Sequence, residues 1–199
     1  MSPPSDTPES KNRVLYIQGL SPQATYHNIF EKLRDVGKIY SINMIKSSIR
    51  GFHSTSLGVV MWDWPATRRL AMQVEDGLLD RDGFKPEVKF TSGWFDMAVP
   101  RASHRSRVLV ITGSAAVVRQ ESIVGLLRES IANLALDEVI VTSPTPDLTA
   151  MEIRFAGYRG QAELAYQKLT SDPRIARWAT TEFGPDPCDL VPEDGSALD

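Results

Sequence analysis

Two octapeptides decide the reading: Arg13-Val14-Leu15-Tyr16-Ile17-Gln18-Gly19-Leu20 and, 94 residues later, Arg107-Val108-Leu109-Val110-Ile111-Thr112-Gly113-Ser114. Each is an arginine, a run of mostly β-branched or aromatic residues, and a glycine that ends the run. The same offset brings Ile29 and Leu33 onto Ile123 and Leu127. It also brings Leu70-Ala71-Met72-Gln73 onto Leu164-Ala165-Tyr166-Gln167. Three matches in one register point to a duplicated domain, because solenoid repeats are much shorter, roughly 20–50 residues.

Working outward from the first octapeptide, residues 14–18 form a strand and residues 19–22 a turn. A helix is predicted over 24–36, with Ile29, Phe30, Leu33 and Val36 on one face. Gly37 stops it. A second strand follows at 39–45, a polar loop at 46–56 and a third strand at 57–62. Pro65 opens a second helix that runs to Glu75 and buries Leu70, Ala71 and Val74. Residues 88–90 close the unit as a fourth strand.

The second repeat has predicted strands at 108–112, 138–142, 150–155 and 178–183 and helices at 120–134 and 161–170. Its loop 143–147 holds two prolines, Pro144 and Pro146, and is excluded from strand interior. The order in each repeat is β-α-β-β-α-β, the split βαβ arrangement. The fold class is therefore α+β: two tandem ferredoxin-like sandwiches, each a four-stranded antiparallel sheet with two helices on one face. The expected organisation is an N-terminal tail at 1–12, a first domain at 13–91, a linker at 92–106, a second domain at 107–184 and an acidic tail at 185–199.

A unit of this order with Tyr16 on its first strand resembles the RNA recognition motif (RRM) family, in two divergent copies. In that family a six-residue motif on the first strand and an eight-residue motif on the third lie side by side, and their exposed aromatics stack on bases. Leu15-Tyr16-Ile17-Gln18-Gly19-Leu20 fits the first motif, with Tyr16 toward solvent and Leu15 and Ile17 inward. The second motif falls on Thr55-Ser56-Leu57-Gly58-Val59-Val60-Met61-Trp62. On that placement Leu57 and Val59 replace the stacking aromatics on the open face, and Trp62 keeps the core aromatic. In the second repeat Val110 takes the place of Tyr16, and Ala150, Glu152 and Arg154 face outward. The resemblance implies single-stranded RNA as ligand, held chiefly by the first domain.

The chain has 199 residues, 42% of them apolar and 24% charged, which reads as a soluble globular protein. No apolar run nears the roughly 18 residues of a membrane span. The first ten residues are neither basic nor apolar, so a nuclear or cytoplasmic location is expected rather than secretion. Cys188 is the sole cysteine, and His27, His53 and His104 are scattered. There is no phosphate-binding loop and no dinucleotide glycine signature. No enzyme activity, metal or cofactor is expected.

Net charge is −3. Residues 14–90 hold ten Lys and Arg against eight Asp and Glu, and residues 108–183 hold seven against nine. Phosphate attraction is thus expected in the first half and the linker. The candidate RNA contacts are Tyr16, Gln18, Asn43, Lys46, Arg50, Leu57, Val59 and Lys89, with Arg101 and Arg105 in a basic linker that also holds His104 and Arg107. The competing expectation is a protein-interaction scaffold. Apolar residues on the sheet faces would then be covered by a partner, by the other domain, or by Trp94 and Phe95 of the linker.

Overall fold

The structure is a computed structural model that describes residues 13–49, 52–90 and 104–190. The chain divides into two units.

In the first unit the order is β1 (Val14–Leu20), α1 (Tyr26–Lys32), β2 (Ile39–Ile49), β3 (Phe52–Met61), α2 (Trp64–Glu75) and β4 (Glu87–Phe90). The sheet order is β2-β3-β1-β4, so β1 lies inside the sheet, antiparallel to both neighbours. Leu15 and Ile17 are fully buried while Tyr16 and Gln18 are half-buried, the alternation of a strand with one covered face. Thr25 caps α1 by accepting from the Asn28 N–H. Asp63 caps α2 by accepting from the Ala66 N–H at 2.8 Å, with Pro65 in the first turn. At Gly37 the backbone has φ 113°, and a Cβ there would sit 2.6 Å from the Ala66 Cβ. Only glycine allows that approach.

Two elements depart from expectation. Helix α1 ends at Lys32 rather than at 36. Asp35 (φ 56°) and Gly37 turn the chain instead, and this turn still buries Leu33 and Val36. The expected polar loop at 46–56 is strand on both sides of a hairpin. Asn43, Ile45, Lys46, Ser48 and His53 are exposed there. A strand uncovered on both faces has no hydrophobic period to announce it.

The second unit runs β5 (Val108–Ser114), α3 (Gln120–Ser130), β6 (Leu136–Thr145), β7 (Leu148–Phe155), α4 (Glu163–Ser171), α5 (Pro173–Ala176) and β8 (Ala179–Phe183). Its sheet order, β6-β7-β5-β8, repeats that of the first. The repetition reaches single hydrogen bonds. The Met61 N–H donates to Arg13 O at 2.9 Å, and the Phe155 N–H donates to Arg107 O at 2.9 Å. The core packs Leu109, Ile111, Met151, Ile153 and Phe155 from the sheet against Ile123, Leu127, Ala165 and Leu169 from the helices. Strand β6 continues through Pro144 to Thr145, contrary to the expected loop. It pairs only with β7 among the described strands, and an edge strand tolerates a residue that cannot donate.

Arg107 is almost wholly buried. Its Nε donates to Asp186 Oδ1 and its NH1 to Asp137 Oδ2, both at 3.0 Å, and NH1 also donates to Phe155 O. One guanidinium thereby joins the start of β5 to β6 and to the chain after β8. Replacing it strands two buried carboxylates, which costs about 3–5 kcal/mol. Arg107→Met should lower the urea-unfolding free energy of the second unit by that amount; a loss under about 1 kcal/mol would mean that water reaches the site.

Asp172 also carries a directional consequence. The Arg174 guanidinium hydrogen-bonded to it, outweighing burial, holds its carboxyl well below the ordinary value of 3.8. The pair therefore contributes stability above that ordinary value, and the contribution is lost as pH falls toward the native-state value. Asp172→Asn keeps an acceptor for the Arg174 N–H but loses the charge. The variant should be less stable than the wild type at pH 7, with the gap closing as pH falls below about 4 in urea titrations.

Candidate nucleic-acid interface

The register of β1 against β3 decides which side chains share a face. Val14 lies opposite Val60, Leu15 opposite Val59, Tyr16 opposite Gly58 and Ile17 opposite Leu57. Leu57 and Val59 are therefore on the helix side with Leu15 and Ile17, and both are 0% exposed. The expectation that they line the open face is overturned. The motif placement was one residue out, and with a side-chain period of two a one-residue shift inverts every position. On the face of Tyr16, β3 instead presents Gly58 with Ser56 and Val60 on either side. Ser56 and Val60 are largely buried. At Gly58 an added Cβ would meet nothing within 4 Å. Met61, not Trp62, closes the core at the end of β3. The Trp62 ring lies half-exposed with the Lys38 ammonium 5.8 Å from its centre.

On its other side β1 sets Tyr16 opposite Lys89 and Gln18 opposite Glu87. The Gln18 amide Nε2 donates to Glu87 Oε2 at 3.2 Å. Tyr16, Gln18, Lys89 and Glu87 thus form one contiguous surface. Glu87 was missed in the sequence because the strand was expected to begin at Val88. The signal was present: Glu87 and Lys89 flank an inward Val88 at strand spacing.

The remaining candidates do not gather there as a group. Asn43 and Lys46 are both exposed on β2, but residues three apart on a strand point to opposite faces. Arg50 and Arg101 lie outside the described residues, as do Trp94 and Phe95. Arg105 NH1 donates to the Tyr158 hydroxyl at 2.7 Å, and that hydroxyl donates to Glu163 Oε1. Burial pushes the Tyr158 phenol up, with the hydrogen bond from Arg105 opposing it. Arg107 is the buried ion-pair residue described above. Two guanidiniums of the expected basic linker are therefore engaged inside the second unit.

The second sheet presents a different surface. Val110 lies between Glu152 on β7 and Glu182 on β8. Arg154 is ion-paired to Glu152 and, at 2.7 Å, to Glu138. Carboxylates occupy the sheet centre, as the outward placement of Glu152 and Arg154 implied, and no aromatic from β5 or β7 joins them. Among the described residues, no cluster of three His, Cys, Asp or Glu side chains could hold a metal ion. No described helix is long and apolar enough to cross a membrane.

No protein-family model matches the chain, and no curated protein matches it. Solved structures do. The N-terminal three RNA binding domains of the yeast splicing factor Prp24 are similar at 11% identity and a TM-score of 0.37, over 86% of this chain and 64% of that one. RNA recognition domains 1 and 2 of Sex-lethal from Drosophila melanogaster are similar at 12% identity and a TM-score of 0.33, over 87% and 100%. The first two RRM domains of the yeast poly(U) binding protein Pub1 are similar at 10% identity and a TM-score of 0.35, over 87% and 99%. The chain spans just under two thirds of the first of these. The RRM-like fold of each unit rests on strand order and register, not on these likenesses.

The register has a direct test. Leu57→Ala should destabilise the first unit by about 2–5 kcal/mol in urea unfolding, the cost of a core truncation. A change within about 0.5 kcal/mol would place Leu57 on the open face.

Proposed function

We propose that this chain binds single-stranded RNA through the sheet face of its first unit. The observation that carries the reading is Tyr16: an aromatic on the open side of an interior strand, with Gly58 leaving room on one flank and Lys89 adding a cation on the other. A base stacks on the Tyr16 ring, a contact worth roughly 1–3 kcal/mol and tolerant of base identity. Lys89 lies near the backbone phosphate of that nucleotide and makes binding depend on salt. With one aromatic in place of three, affinity is modest. The second unit serves as scaffold, because the carboxylates of Glu138, Glu152 and Glu182 repel phosphate from its sheet. The reading needs no cofactor and no catalytic group.

The protein-scaffold reading drew on missing aromatics, acidic charge and apolar sheet faces. With Leu57 and Val59 in the core, its apolar support on β3 of the first sheet shrinks to Val60, and Tyr16 beside Lys89 favours RNA.

Fluorescence anisotropy with mixed-sequence octaribonucleotides tests it. Tyr16→Ala should raise Kd roughly 5- to 150-fold. Gly58→Tyr, which adds a second ring at a position where a Cβ meets nothing within 4 Å, should lower it. A Tyr16→Ala protein that binds RNA as the wild type does would sink the proposal.

A further inference from the structure

The Gln18–Glu87 pair lies beside Tyr16 on the same face, and stacking leaves it unexplained. A carboxylate only accepts, so the Gln18 amide nitrogen must be the atom turned to Glu87. That fixes what the pair has left to offer. Gln18 retains one N–H and its carbonyl oxygen, and Glu87, which is exposed, retains lone pairs on both oxygens. The free N–H and the carboxylate together set one donor beside a two-oxygen acceptor. One pleat repeat, roughly 7 Å, separates this pair from the Tyr16–Lys89 pair. That is about the reach from a ring stacked on Tyr16 to a hydrogen bond at its edge.

Resting on the RNA-binding reading, we infer that Glu87, oriented by Gln18, selects guanine for the base on Tyr16. The Watson–Crick edge of guanine carries an acceptor, O6, next to two neighbouring donors, N1–H and the 2-amino group. Glu87 takes both donors in a bidentate contact, and the free Gln18 N–H reaches O6. No other RNA base has two adjacent donors. Uracil sets a single N–H between two carbonyls, and those carbonyls face the carboxylate unfavourably. Adenine and cytosine each offer one amino group beside a bare ring nitrogen, which a carboxylate also repels. Lys89, on β4 opposite Tyr16, offsets the charge that Glu87 brings to a phosphate-bearing ligand. A pair that merely held β1 to β4 would show no preference among bases.

The test uses the full chain and octauridylate in which one central uridine is replaced by guanosine or by inosine, which lacks the 2-amino group. A good bidentate contact discriminates by roughly 5- to 150-fold, so the guanosine oligomer should bind that much tighter than octauridylate. Inosine should fall between them. In Glu87→Gln, an exposed and isosteric change, the guanosine preference should shrink to within about twofold. Tyr16→Ala should weaken all three oligomers together. Equal wild-type affinity for the three, or a preference that survives Glu87→Gln, overturns the assignment of Glu87 even where Tyr16→Ala weakens binding. Unchanged binding in Tyr16→Ala removes the face itself, and the guanine assignment with it.

Discussion

The pairing of β1 with β3, Tyr16 opposite Gly58, is the constraint on which the surface of the first unit depends. It sends Leu15, Ile17, Leu57 and Val59 into one core and leaves the tyrosine outside. With β4 on the other flank, the same strand brings Lys89 and Glu87 beside Tyr16 and Gln18. Shifting the β3 register by one residue would turn Leu57 and Val59 outward and bring Ser56 and Gly58 into the core in their place. The apolar transfer term alone, about 1.5–3 kcal/mol per side chain, fixes the register.

The two repeats share this framework and differ in what stands on it. The first exposes an aromatic, a glycine and a lysine at the sheet centre, while the second exposes Val110 between two glutamates. Their opening arginines have diverged in the same way. Arg13 makes a half-buried hydrogen bond to Trp62 O, whereas Arg107 sits inside a buried ion pair with Asp137 and Asp186. A buried guanidinium held by two carboxylates specifies one local arrangement strongly, because removing any member strands the others. The second unit has spent its cation on structure, and the first keeps Lys89 at the surface.

How much of this was readable from the residues depends on where the information sits. Element order was readable, because apolar periodicity recurs at one offset in both halves, with Gly19 and Gly113 in the same register. The register of β3 was not, because Leu57-Gly58-Val59-Val60-Met61 is apolar on both parities and shows no alternation. The outer part of the β2–β3 hairpin was hidden for the opposite reason, since Lys46, Ser48 and His53 are exposed there and no apolar period exists. Arg107 looked like a linker cation because its partners lie 30 and 79 residues away. Of the contacts proposed for RNA, Tyr16, Gln18 and Lys89 stand on one face. Glu87, one residue before the expected strand, completes them.

The central claim is that the first sheet, and not the second, meets RNA. Backbone amide chemical shifts of the 15N-labelled full chain, followed during titration with single-stranded RNA, test it residue by residue. The account predicts shifts concentrated at Tyr16, Gln18, Gly58, Glu87 and Lys89, with Val110, Glu152 and Arg154 unmoved. Shifts centred on the second sheet, or none on either, would contradict it.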